Sequence, residues 1–120
     1  MAQIVVAEDD DSMRHFLTHA LEKAGHEVEA CADGIAALRA LEARTETDLL
    51  LADIVMPGMD GIELARKAQE ALPHLKVMFI TGFAAVAMAE ADDNAPPPEI
   101  LSKPFHLKDL VNRVEQLLAA

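Results

Sequence analysis

Five short apolar runs alternate with longer segments of helical period, and this alternation leaves few folds open to the chain. "QIVVA" (Gln3–Ala7), "HEVEACA" (His26–Ala32), "DLLLAD" (Asp48–Asp53), "KVMFIT" (Lys76–Thr81) and "EILS" (Glu99–Ser102) read as strands. The first, third and fourth are apolar enough to be buried on both faces. Between the first two runs, Met13, Phe16, Leu17, Ala20, Leu21 and Ala24 fall at helical spacing, and Gly25 supplies a stop. Asp33 and Gly34 open a second helix, running through Leu38 and Leu41 to about Arg44. A third helix covers Gly61–Leu72 and stops at Pro73. A short fourth is expected around Ala84–Glu90, before "DDNAPPPE", where consecutive prolines force a loop. The last helix carries Leu107, Leu110, Val111, Val114, Leu117 and Leu118 on one face.

Strands alternating with helices imply a parallel α/β sheet covered on both sides, with right-handed crossovers. The expected architecture is a flavodoxin-like, doubly wound, five-stranded sheet of order 2-1-3-4-5 with five helices. Chemistry in such folds sits beyond the carboxyl ends of the strands, where the first and third diverge. The 120 residues suit one domain, spanning 1–120, with no repeat or linker. With four Phe and no Trp or Tyr, its core must be aliphatic. A net charge of −11 repels phosphate backbones and anionic membranes, which argues against nucleic-acid and membrane binding. The start "MAQIVVAEDD" is not a signal peptide, and no uncharged run reaches the roughly 18 residues that span a bilayer. Cys31 is alone, so no internal disulfide is possible, and a cytoplasmic location is expected.

The strand ends carry the chemistry. The first delivers Glu8 and Asp9, the third Asp53, the fourth Thr81, and Lys103, Pro104 and Phe105 follow the fifth. Asp10 and Asp11 suit the start of a helix and need no other role. Asp53 is different, because a carboxylate closing an apolar strand is costly unless something uses it. Three converging carboxylates repel one another unless a cation bridges them. Oxygen ligands in an open crevice suit Mg²⁺. A carboxylate held so can act as a nucleophile toward phosphorus, with Lys103 neutralising the phosphoryl oxygens and Thr81 donating a hydrogen bond. An enzyme of the Toprim or haloacid-dehalogenase type also places acids at strand ends. Those families need Asp-x-Asp, whereas the Asp53 strand continues "DIV".

"VVAEDDDSMR", "ADIVMPGMDG", "FITG" and "LSKPF" resemble the receiver domains of two-component response regulators, in that family's order and spacing along the whole chain. The resemblance implies that Asp53 is the phosphoacceptor and that Glu8, Asp9, Asp53 and the Val55 backbone carbonyl hold Mg²⁺. It makes Thr81 the switch hydroxyl and Lys103 the phosphate contact, aimed by a cis bond to Pro104. It implies a hybrid histidine kinase or histidine phosphotransferase as phosphate source, and a switched binding module rather than an enzyme. No output domain is expected after the last helix. Within the family, the wording is most similar to stand-alone receivers that dock on the ClpX unfoldase and prime ClpXP while unphosphorylated. A phosphoryl shuttle or sink is the competing reading.

Some positions depart from the family pattern. Ile100 stands where receivers usually carry Tyr or Phe, so either an aliphatic side chain repacks there or the signal of Thr81 travels through the segment that follows it. Phe83, Val86 and Met88 lie in an uncharged stretch just beyond Thr81. With Ile100, they form the candidate docking and switch surface. Val55 and Phe83 flank the site with apolar groups, which predicts slow self-dephosphorylation. The tail "LLAA" resembles one that ClpX recognises, which makes Ala119 and Ala120 a candidate degron. His15 and His19 read as surface histidines, and Cys31 as a packing residue.

Overall fold

The structure, a computed structural model, describes residues 1–82 and 99–120. The strands are β1 (Gln3–Ala7), β2 (Glu27–Cys31), β3 (Leu49–Asp53), β4 (Lys76–Thr81) and β5 (Glu99–Ser102). The described helices are α1 (Asp11–Lys23), α2 (Gly34–Ala43), α3 (Gly61–Ala71) and α4 (Leu107–Ala119). One parallel sheet results, with order β2-β1-β3-β4-β5. This is the flavodoxin-like order expected. The helix expected over 84–90 lies outside the described residues.

Successive residues of a strand face opposite sides, and β3 shows what this does here. Leu50 and Ala52 enter one apolar cluster with Val5, Leu41, Leu64 and Phe79, beneath α2 and α3. Leu49 and Leu51 enter the other with Ile4, Val6, Leu17, Met78 and Leu110, beneath α1 and α4. Every residue of β3 is buried. Burying each leucine contributes about 1.5–3 kcal/mol, so a two-sided central strand is the mechanical reference of the domain.

The starts of α1, α2 and α3 are set by aspartates. Asp10, Asp33 and Asp60 accept hydrogen bonds from the N–H groups of Met13, Ala36 and Glu63. α1 is closed off after its C-cap Ala24 by Gly25, whose φ of +101° is in the region that favours glycine. Phe16, on the apolar spacing of α1, is 41% exposed, and its ring rests on Phe105 with centroids 6.5 Å apart. The buried stripe of α1 is narrower than the periodicity suggests: Leu17, Ala20 and Leu21.

Candidate functional site

The carboxyl ends of β1 and β3, neighbours in the sheet, bring Glu8, Asp9 and Asp53 together. One carboxylate oxygen from each lies within 4.8 Å of the others, a donor set suited to an oxygen-preferring cation. Glu8 is completely buried and Asp53 nearly so, while Asp9 faces solvent. Lys103 reaches in from beyond β5. Its Nζ lies 3.1 Å from Glu8 Oε1 and 3.1 Å from Asp53 Oδ2. One ammonium thus bridges two acids that would otherwise repel.

Burial pushes the Glu8 carboxyl up to about 7, and the neighbouring Asp53 adds to the rise. Burial works against the charge of Lys103, but its bonds to Asp53 and Glu8 outweigh this and hold its pKa above the ordinary lysine value. A buried Glu8 that resists ionisation and shares one lysine with Asp53 marks a site short of positive charge. That electrostatic shortfall is the reason the residues present fit a divalent cation.

Main-chain contacts fix each part. Val55 donates its N–H to Asp53 Oδ1 at 3.3 Å, while its side chain is 65% exposed. Gly61 brings the start of α3 onto the Asp53 carbonyl so closely that a Cβ there would collide with it. Gly61 N–H also donates to the Ile54 carbonyl at 2.8 Å. Thr81 is buried at the end of β4, and its hydroxyl donates to the Gly82 carbonyl at 3.2 Å. Its own carbonyl accepts from the Lys103 N–H at 2.8 Å, and the Lys103–Pro104 bond is cis.

Ile100 sits in β5 opposite Phe79, half-buried against the cluster under α2 and α3. Phe83, Val86 and Met88 lie outside the described residues. Ala119 and Ala120 are exposed, and Lys76 Nζ donates to the carbonyls of Leu117 (2.7 Å) and Ala120 (2.6 Å). His15 and His19 are exposed with stacked rings, and Cys31 is buried, its thiol pushed up to about 11 chiefly by burial. Arg14 was not singled out by the sequence, yet it reaches the site: its Nη1 donates to the Glu8 carbonyl at 3.0 Å. The only sequence hint is a basic residue three positions after Asp11.

No described helix is long and apolar enough to cross a membrane. Residues 4–115 match the response regulator receiver domain family. The chain is 55% identical to the response regulator receiver protein CpdR of Brucella abortus (strain 2308), over 100% of this chain and 99% of that protein. It is 36% identical to the sensor kinase CckA of the same strain, covering 98% of this chain but only 12% of CckA. A solved response regulator receiver protein from Sinorhizobium medicae WSM419 is 32% identical, with a TM-score of 0.88 over 99% of this chain and 95% of that one. With a matching family model along nearly its whole length and acids, lysine and hydroxyl at the expected strand ends, the chain belongs to the response regulator receiver family of two-component signalling.

Proposed function

We propose that the chain is a phosphorylation switch in which Asp53 accepts a phosphoryl group and the domain surface is read by a partner. One observation carries this reading. Asp53 closes a fully buried strand, yet its carboxylate is within reach of a lysine ammonium and two further acids. A bare structural role would not justify that cost. In the proposed transfer, an Asp53 oxygen attacks the phosphorus of a phosphohistidine. An O–P bond forms, the P–N bond breaks, and the ring, already protonated on its other nitrogen in the phosphohistidine, leaves as neutral imidazole. Lys103 Nζ, already 3.1 Å from Oδ2, neutralises a phosphoryl oxygen. Thr81 is the hydroxyl that turns from the Gly82 carbonyl to the phosphoryl group. Glu8, Asp9, Asp53 and the Val55 carbonyl would hold Mg²⁺, which when bound supplies further charge neutralisation.

The donor in this reading is a hybrid histidine kinase or a histidine phosphotransferase. Similarity to a stretch of the sensor kinase CckA supports that class of donor. Residues 1–120 act as one receiver domain, and the output is its own surface. The 55% identity to CpdR along nearly all of that protein supports this. The finer reading, from the same resemblance, is an adaptor that docks on ClpX and primes ClpXP while unphosphorylated, with Ala119 and Ala120 as its own degron. Pull-down of ClpX by wild type and Asp53→Ala, each with and without a phosphorylated phosphotransferase, tests it. The adaptor reading expects phosphorylation to release wild type and leave Asp53→Ala bound. No binding in any state would leave a phosphoryl shuttle as the reading. The double change Ala119→Asp/Ala120→Asp should lengthen the half-life under ClpXP, and an unchanged half-life removes the degron.

A further inference from the structure

We infer that Arg14 is a positioning residue for the acidic site, acting through the backbone of Glu8. The inference rests on the reading of Glu8, Asp9 and Asp53 as cation ligands. Four consecutive acids, Glu8 to Asp11, link β1 to α1. Each has a distinct task. Asp10 caps α1 through Met13 N–H, at 2.7 Å. Asp11 pairs with Arg14 on the first turn of the helix. Glu8 and Asp9 face the site.

The peptide that joins Glu8 to Asp9 decides where both of those side chains point. It is held through its carbonyl, and the Ala7–Glu8 peptide before it is pinned to β2. Glu8 N–H donates to the Cys31 carbonyl of β2 at 3.1 Å. The Glu8 carbonyl accepts from Arg14 Nη1 at 3.0 Å. Asp10 N–H adds a bond to Glu8 Oε2 at 3.2 Å. Arg14 is mostly buried, and its two ends span the carbonyl that closes the strand and the carboxylate that opens the helix. The planar guanidinium can serve both at once, whereas a lysine offers one point charge. Without the guanidinium, the Glu8 carbonyl loses a charged partner and the Glu8–Asp9 peptide is free to turn. The acid pair then meets a cation less well organised.

The sign of the effect separates positioning from simple charge. Arg14 is a cation close to the ligand set, so electrostatics alone has it oppose Mg²⁺. Removing it should then tighten binding. Positioning predicts the reverse. Isothermal titration of Mg²⁺ into wild type, Arg14→Ala and Arg14→Lys, with thermal melts of each to verify folding, reads the difference. The expected result is binding about tenfold weaker in Arg14→Ala, on the scale seen when partners that orient metal ligands are removed, with Arg14→Lys between. Equal or tighter binding by a folded Arg14→Ala overturns the role of Arg14 and leaves the cation reading intact. Failure of wild type itself to bind Mg²⁺ overturns the cation reading and this inference with it.

Discussion

Glu8 is the residue whose surroundings have the clearest consequence in solution. Its carboxyl is raised from the ordinary 4.5 to about 7, first by burial and then by Asp53. An acid whose pKa is raised on folding favours the folded state only while protonated. Stability is therefore present below 4.5 and is lost as pH rises through about 7. Metal-free wild type should lose stability against Glu8→Gln across that window, measured by urea denaturation in the presence of a chelator. Added Mg²⁺ should reverse the loss, and parallel pH curves for the two proteins would contradict the assignment. Val55 gives a second prediction at this scale. Its exposed, apolar side chain beside Asp53 offers an attacking water no hydrogen bond. Val55→Asn should shorten the lifetime of the phosphorylated protein several-fold, read by loss of label over time.

Among the elements, β3 and the start of α3 do most to define the site. Gly61 lets α3 approach the Asp53 carbonyl, and an added methyl has only backbone to push against. Gly61→Ala should cost about 1–3 kcal/mol, as overpacking against rigid surroundings does. It should also slow labelling of Asp53, since the backbone that carries the carboxylate must move. A melting curve and a labelling time course on the same preparation check both. The strands were legible in the sequence because a two-sided buried strand needs an unbroken apolar run, and "LLLA" provides one. Alternation and the handedness of crossovers pointed to a parallel doubly wound sheet, and the flavodoxin-like order was the one expected of it. The width of the buried stripe on α1 was not legible. Phe16 has the spacing of a core residue, but it lies at the rim and rests on Phe105, a neighbour distant in sequence. The reach of Arg14 to the Glu8 carbonyl was hidden for the same reason, because it depends on how α1 leaves β1. Periodicity reports which face of an element is apolar, not what a long polar side chain finds after folding.

At the scale of the molecule, a strongly acidic chain gathers Glu8, Asp9 and Asp53 at one end of the sheet and meets two of them with Lys103 from across the crevice. In the proposed switch, phosphorylation of Asp53 adds further negative charge there and calls for a rearrangement of Lys103 and of neighbouring groups. In that proposal, the coupling is what lets a local charge alter a distant surface. The most direct measurement of the central claim is the intact mass of the protein after incubation with acetyl phosphate. The account predicts a single added phosphoryl group on wild type in the presence of Mg²⁺, absent from Asp53→Ala and absent when Mg²⁺ is chelated. Equal labelling of Asp53→Ala, or steady consumption of acetyl phosphate with no phosphorylated protein detected, would contradict it.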